Sequence, residues 1–180
     1  MPRTRPELNR DEKAAAILGA AEARLLEGGF DALTMAGVAR DLGLAQNAIY
    51  WYFPSRADLF AAVLRRVLAG IAARKPRGRT DIARRVLWFT DQFAPLYRLQ
   101  PAMHEQARES PAVAAFVADL EELFARMLAN LFRGRVPDEE LASAIDSFRT
   151  TVTGAYARGL PPRRRRELLA YSLGRLLDGG

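Results

Sequence analysis

Two amide side chains and three aromatic rings share one short stretch of the chain and are its most specific chemical groups. They are Gln46, Asn47, Tyr50, Trp51 and Tyr52. Glutamine and asparagine can form paired hydrogen bonds with the edge of an adenine, and aromatic rings can rest on a sugar or on a thymine methyl group. Tyrosine hydroxyls can hold phosphate oxygens. The spacing therefore predicts contact with double-stranded DNA. The alternative is that the rings belong to the core, which is our interpretation of Phe53.

The rest of the chain contains few residues that could form a catalytic or metal-binding site. The absence of cysteine excludes disulfides, thiolate nucleophiles, cysteine zinc sites and iron–sulfur clusters, and a single histidine excludes multi-histidine metal centres. His104 could form a hydrolytic pair with Glu109 or Ser110, but no glycine nucleophile elbow, phosphate loop or metal-ligand spacing accompanies them. We therefore expect no enzyme activity, no metal and no cofactor.

The composition is that of an ordinary globular protein with a surplus of basic residues. Apolar residues make up 49% and charged residues 27% of the 180 residues. No apolar run approaches the roughly 20 residues that cross a bilayer, and the first residues lack a secretory signal. We therefore expect a cytoplasmic protein with no membrane partner. The net charge of +6 suits a nucleic-acid partner, but it is spread along the chain and locates no binding surface.

The elements around the amide and aromatic stretch are predicted to form a helix-turn-helix. Thr34 is placed to cap a short helix that Gly43 ends. A second short helix starts near Ala45 or Gln46 and ends before Pro54, because the residue before a proline is pushed out of the helical region. Two short helices joined by a tight glycine turn are typical of this motif. The residues expected to pack the pair are Ala39, Leu42, Leu44 and Ile49.

Apolar periodicity predicts helices in the rest of the chain as well. The first has its apolar face between Ala14 and Leu25 and ends at Gly28-Gly29, and Ser55 caps the fourth. A linker at 75–79 follows. Later helices are indicated by apolar positions within 80–99, where Pro95 should bend or end the helix, and within 113–131, 141–156 and 169–177. We therefore predict an all-α chain divided into 1–13, 14–75 and 76–180.

The segment from Ile17 to Leu68 resembles the DNA-binding domain of the TetR family of bacterial transcription regulators. The residues that carry the resemblance are Ala20-Ala21, Gly29-Phe30, Leu33-Thr34-Met35, Val38-Ala39, Gly43-Leu44, Ile49-Tyr50-Trp51-Tyr52-Phe53-Pro54-Ser55-Arg56 and Asp58-Leu59. The resemblance implies an N-terminal arm over 1–13, a helix-turn-helix DNA-binding domain over 14–75, and a helical ligand-binding and dimerisation domain over 76–180. Beyond Lys75 the match is in architecture only.

The resemblance also implies roles for individual residues on DNA. Gln46, Asn47 and Ala48 match the positions that read bases. Four others match backbone contacts: Thr34, Tyr50, Tyr52 and Arg56, the last meeting a phosphate. Trp51 is expected beside them on the outer face. Ala45 stands where the family usually has serine, so the third helix lacks its normal cap. Arg3, Arg5 and Arg10 in the arm could touch phosphates or a minor groove; the alternative is a disordered tail.

A homodimer formed by the last two helices, bound to a palindromic operator, is a further implication of the resemblance. The candidate interface residues are Ala144, Ser147, Thr151, Gly154, Ala155 and Arg158 on the penultimate helix and Leu169, Leu173 and Leu176 on the last. The run Arg163 to Arg166 could contact DNA. We expect instead a solvated face, paired with Asp138 or Glu139.

The C-terminal domain is expected to bind a small-molecule effector in a largely apolar pocket. The candidate pocket residues are Trp88, Phe89, Phe93, Tyr97, Met103, His104, Phe116, Phe124 and Met127. Core residues are the alternative for the apolar members, and a partly exposed position between helices is the alternative for His104. Asp91, Gln92 and Asp119 could recognise a cationic effector if they face inward.

The expected function is that of a repressor released from its operator by a small, largely apolar molecule. The alternative is a helix-turn-helix protein with no inducer, controlled by a protein partner or acting architecturally.

Overall fold

The computed structural model describes residues 5–74, 76 and 81–178, and this part of the chain is almost wholly helical. The helices are α1 (Arg5–Ala32), α2 (Met35–Asp41), α3 (Gln46–Tyr50), α4 (Arg56–Ala73), α5 (Ile82–Gln92), α6 (Ala94–Arg98), α7 (Gln100–Ala107), α8 (Pro111–Phe132), α9 (Leu141–Ala157) and α10 (Pro162–Asp178), with a 3-10 turn at Asp138–Glu140. No strand forms among these residues, and the prediction of an all-α fold is confirmed. None of the described helices is long and apolar enough to span a membrane.

Helix α1 is longer than its apolar pattern predicts. It begins at Arg5, inside the segment 1–13 that we expected to form an arm. Regular geometry is interrupted at Gly29, whose φ of +71° lies in the left-handed region that favours glycine. Of the basic residues expected in the arm, Arg10 is exposed on α1, whereas Arg3 lies outside the described residues.

The first of two compact units contains the residues up to Gly70 together with Leu99–Val117. Its core takes one fully buried face from each of the first four helices, which is why their apolar residues recur at helical spacing. The fully buried members include Ile17 and Ala21 of α1, Val38 of α2, Ile49 of α3 and Leu59, Phe60, Val63 and Leu64 of α4. Helix α7 and residues 111–117 of α8 also belong to this unit.

The turn between α2 and α3 is a glycine C-cap. Gly43 has a φ of +63°, its N–H donates to the Arg40 carbonyl, and the Leu44 N–H donates to the Ala39 carbonyl. Two predictions about this region are wrong. Leu44 is 38% exposed because it lies in the reversed turn outside both helices, and Phe53, which follows α3, is only partly buried.

The second unit contains Ile71–Arg98 and the residues from Ala118 onward. Its core combines α5 and α8 with the inner faces of α9 and α10. The core members are Val86, Leu128, Leu131, Phe132, Ala144, Phe148, Val152, Leu169 and Leu173. The helix predicted over 80–99 is two helices that separate at Phe93, with Pro95 in the first turn of α6. Of the linker predicted at 75–79, only Pro76 is described.

Candidate functional site

Helix α3 is held to the first unit by a single buried side chain. Ile49 is 0% exposed, and its carbonyl accepts hydrogen bonds from the N–H groups of Tyr52 and Phe53, both at 3.0 Å. Ala45 occupies the N-cap position in an extended conformation and supplies no side-chain hydrogen bond, as its missing hydroxyl predicts. The helix is therefore short and uncapped by a side chain, with only one of its own residues buried.

Most of the other side chains predicted to contact DNA in this segment lie at the surface. Gln46 and Asn47 are exposed, Tyr50 is 42% exposed and Trp51 is 83% exposed. Ala48 and Tyr52 are half-buried. Tyr50 and Trp51 are therefore not core residues. The Trp51 indole is therefore available for contact with a partner.

Helix α2 presents a second candidate DNA contact at its first turn. Thr34 is exposed and extended, and its Oγ1 accepts a hydrogen bond from the Gly37 N–H at 3.0 Å, so the predicted N-cap is confirmed. A threonine hydroxyl that accepts one bond still has its proton to donate. Thr34 can therefore cap α2 and donate to a phosphate oxygen at the same time.

An ion pair that we did not predict connects α1 with the far end of α2. Arg24 Nε donates to Asp41 Oδ2 at 2.5 Å and Nη2 donates to Oδ1 at 2.8 Å. These hydrogen bonds lower the pKa of Asp41 and raise the pKa of Arg24. The sequence did contain one indication of this pair. Asp41 lies in the last turn of α2, where a carboxylate interacts unfavourably with the helix dipole and is stabilised by a nearby cation.

Arg56, the predicted phosphate contact, lies at the start of α4. Ser55 caps this helix by accepting from the Asp58 N–H at 3.0 Å and donating to Asp58 Oδ2 at 2.7 Å, which confirms its predicted role. The Arg56 guanidinium donates through Nε to the Leu33 carbonyl at 2.7 Å and through Nη2 to the Phe30 carbonyl. One acceptor lies in the last turn of α1, and the other lies just after that helix.

The candidate effector residues are divided between the two units. Trp88, Phe89, Phe93, Tyr97, Phe124 and Met127 belong to the second, and Met103, His104 and Phe116 to the first. Ring contacts join members of the second set: the Trp88 and Phe89 centroids lie 5.0 Å apart, and those of Phe93 and Phe124 lie 4.6 Å apart. Phe93, Met103 and Phe116 are buried, as the core alternative predicts.

His104 is exposed, and its ring is hydrogen-bonded to its own helix. Nδ1 lies 2.8 Å from the Gln100 carbonyl, which can only accept, so Nδ1 is the donor. This bond stays within α7.

The arginine run at the start of α10 pairs with acidic residues other than those we predicted. Arg163 and Arg164 both pair with Glu167, and Arg166 Nε donates to Asp91 Oδ2 at 2.8 Å. The expected partners were Asp138 and Glu139. Helical spacing explains the Glu167 pairs, since residues three and four apart share a face. Asp91 is supplied by α5, which packs on α10.

Arg165 is buried rather than solvated. Its guanidinium lies 4.3 Å from the ring centroid of Tyr156, and Nη1 donates to the Leu160 carbonyl at 3.3 Å. Tyr156 stacks on Tyr97 with centroids 3.9 Å apart, and its hydroxyl donates to the Thr90 carbonyl. Burial raises the pKa of Tyr156 to about 12 and raises that of Tyr97 further. The Tyr156 ring is therefore already in contact with a cation of the protein itself.

The predicted dimer residues divide according to the face of their helix. Ala144, Ala155, Leu169 and Leu173 are buried within their own unit, and Leu176 packs against its core, so these five do not form an exposed stripe. A second set on α9 does reach the surface: Ser147 and Arg158 are exposed, and Thr151 and Gly154 are half-buried. The apolar spacing of α9 and α10 is therefore explained by the core of one chain.

Comparison with known proteins gives one family and several relatives. The family model described as bacterial regulatory proteins, tetR family, matches residues 17–63. The nucleoid occlusion factor SlmA of Haemophilus influenzae is 29% identical over 115 residues, which cover 57% of this chain and 53% of the relative. The HTH-type transcriptional repressor KstR of Rhodococcus jostii is 28% identical over 136 residues, which cover 72% and 64%. The chain thus spans between about half and two thirds of the length of these relatives.

Solved structures show the same fold over nearly the whole chain. A transcriptional regulator from Rhodococcus sp. Rha1 superposes with a TM-score of 0.76 at 20% identity, covering 92% of this chain and 96% of that one. A regulator from Saccharomonospora viridis, solved in complex with choline, superposes with a TM-score of 0.75 at 17% identity, covering 88% and 94%.

Proposed function

The chain belongs to the TetR family of bacterial regulatory proteins, and we propose that it is a transcriptional repressor that binds a palindromic operator as a homodimer. Members of this family are DNA-binding regulators rather than enzymes. One observation carries the proposal: α3 buries only Ile49, while its residues Gln46, Asn47 and Tyr50 are exposed together with Trp51, which follows the helix. Such a protein acts on the chromosome, and its place of action would be the cytoplasm.

The proposed division of labour follows the chemistry of each side chain. Gln46 and Asn47 read base edges through their amides, with Ala48 close enough for apolar contact with a thymine methyl group. Tyr50, Trp51, Tyr52 and Thr34 contact sugars and phosphates and set the register of α3 in the major groove. Their donors are neutral, so they add little to the salt dependence of binding.

A homodimer is the second part of the proposal. One five-residue helix reaches too few base pairs for specificity, and two copies related by a two-fold axis read two half-sites. The proposed interface uses the surface set on α9, Ser147, Thr151, Gly154 and Arg158, whose small members allow a close approach. On α10 it includes Tyr171, which is 69% exposed.

The third part of the proposal is release by a small, largely apolar effector bound among the aromatic residues of the second unit. The similar regulator solved with choline binds a cation. In this protein Asp91 is already paired with Arg166, and the Tyr156 ring is already in contact with Arg165. These internal pairs favour a neutral effector over a cationic one. A tenfold loss of operator affinity requires about 1.4 kcal/mol of coupling between the two sites.

The similarity to a nucleoid occlusion factor favours a second candidate, a DNA-binding protein without an inducer that answers to a protein partner or acts architecturally. A compound that raises the Tm of the protein and releases it from its operator supports the inducible repressor. Failure of every stabilising compound to release the operator supports the second candidate.

The DNA-binding proposal is tested by selecting duplexes from a random library with the purified protein at about physiological salt, where charge-driven binding is already weakened. An enriched inverted repeat supports a dimeric reader of sequence. Enrichment of a single half-site would contradict the homodimer, and recovery of unselected DNA would contradict sequence reading altogether.

A further inference from the structure

Three backbone carbonyls at the end of α1 and just after it each accept a hydrogen bond from an arginine side chain. They belong to Phe30, Ala32 and Leu33, and the donors come from Arg24 and Arg56. We call these two arginines and the three carbonyls the arginine clasp. The segment they hold leads directly into Thr34 and the first turn of α2.

Arg56 makes the firmer half of the clasp. Besides its bonds to the Leu33 and Phe30 carbonyls, its Cζ lies 3.8 Å from the centroid of the Phe30 ring, and Nη2 is 3.9 Å from the Asp31 carboxylate. The Phe30 ring packs in turn on Phe60, a fully buried residue of α4, with centroids 4.8 Å apart. The Arg56 guanidinium is thus held by hydrogen bonds to two carbonyls and by contact with the face of an aromatic ring.

Arg24 makes the other half and spans the length of α2. Nη1 lies 3.4 Å from the Ala32 carbonyl at one end, while Nε and Nη2 bind Asp41 at the other. The backbone of Gly37 leaves room for this guanidinium, because a Cβ there would lie 2.6 Å from Nη1 and 2.7 Å from Thr34 Oγ1. Arg24, Gly37 and Thr34 therefore fit together as one packed group.

We propose that Arg24 and Arg56 are positioning residues that fix Thr34 and the first turn of α2 for contact with the operator, and that Arg56 does not itself bind a phosphate. This inference rests on the proposed DNA-binding function. Thr34, which the clasp positions, would contact DNA through a neutral hydroxyl group. The guanidinium groups of the clasp donate to backbone carbonyls instead. Lysine is a poor substitute for Arg56, because an ammonium is a point charge without a planar fork.

The test compares Arg56→Gln and Arg56→Lys with the wild type in two measurements. The first is hydrogen exchange of the peptide 30–38 in the free protein, which requires no DNA. The second is the operator Kd between about 50 and 200 mM salt. Arg66→Gln is the matched control, because it also removes one positive charge from α4. In the wild type Arg66 pairs with Glu22, away from the clasp.

We expect both Arg56 variants to accelerate exchange in 30–38 and to weaken operator binding about tenfold at every salt concentration, with the wild-type salt slope retained. The control should leave exchange in 30–38 unchanged. A phosphate contact would instead reduce the slope by about one in Arg56→Gln and be rescued by Arg56→Lys, and either result overturns the inference. A lower Tm with an unchanged Kd would also overturn it, because it would reduce the clasp to a purely stabilising contact.

Failure of the wild type to bind any specific operator would overturn the proposed function instead. In that case the exchange measurement still decides whether the clasp orders the α1–α2 segment. Unchanged exchange in both Arg56 variants would contradict the clasp itself.

Discussion

Helices α2 and α3 lie next to each other in the chain and are both short, yet they are held in place by different means. Helix α2 buries Met35, Gly37, Val38 and Ala39, is capped by Thr34 and is tied to α1 by the Arg24–Asp41 pair. Helix α3 buries only Ile49 and has no side-chain cap. The difference fits our proposal, in which α2 supports the motif and the exposed side chains of α3 read DNA.

The largest expected effect comes from removing the single anchor of α3. Ile49→Ala should lower the free energy of unfolding by about 2–5 kcal/mol, since it leaves a cavity at a fully buried position. Urea denaturation followed by circular dichroism measures the change. Ile49→Val is the matched control and should cost only about 1 kcal/mol. Equal stability of Ile49→Ala and wild type would show that α3 is held by other contacts.

A smaller decrease in the free energy of unfolding is expected when the N-cap of α2 is removed. Thr34→Ala deprives the Gly37 N–H of its acceptor and should cost about 1 kcal/mol, whereas Thr34→Ser keeps an acceptor and should cost less. The denaturation midpoints of the two variants measure this difference. Identical midpoints would mean that the cap contributes nothing to α2, and the contrast with α3 would be lost.

The opposite sign is expected when α3 is given the cap it lacks. Ala45 has the extended backbone of an N-cap residue, so Ala45→Ser should raise the free energy of unfolding by about 0.5–1 kcal/mol. Thermal unfolding should show a higher Tm. Ala36→Ser, at an exposed position within α2, is the control and should be neutral or slightly destabilising. A higher Tm for the control alone would contradict the capping argument.

The smallest effect should appear as a pH dependence of the tie between α1 and α2. The Arg24 guanidinium lowers the pKa of Asp41 below its usual 3.8. The pair therefore contributes stability above about pH 3.8 that is lost as the pH falls through the folded-state pKa. Asp41→Asn should reduce the acid-induced drop in Tm relative to the wild type. An equal drop in Tm in both proteins would show that the Arg24–Asp41 pair contributes nothing to acid stability.

Much of the helix-turn-helix could be predicted because its determinants are local. The caps Thr34 and Ser55, the glycine turn at Gly43 and the outward position of Trp51 each follow from residue type and short-range spacing. Leu44 and Phe53 were misassigned for a related reason. Their apolar character suggested burial, but turn geometry places Leu44 outside both helices, and Phe53 lies beyond the end of α3.

Contacts between distant parts of the chain could not be predicted in the same way. Arg56 reaches carbonyls 23 and 26 residues earlier, and nothing in the local pattern distinguishes this from a free side chain at the start of a helix. Apolar spacing on α10 is likewise equally compatible with a core and with an interface between copies. The structure buries Leu169 and Leu173 within their own unit.

Base reading by α3 can be tested by selecting duplexes from one random library with the wild type and with Asn47→Ala side by side. Because Asn47 is exposed and buries nothing, the variant should keep wild-type stability. We predict the same inverted repeat with the preference relaxed at one position in each half-site. An identical base preference with uniformly weaker binding would contradict base reading by Asn47, and loss of all preference by a folded variant would contradict the separate reading and anchoring roles.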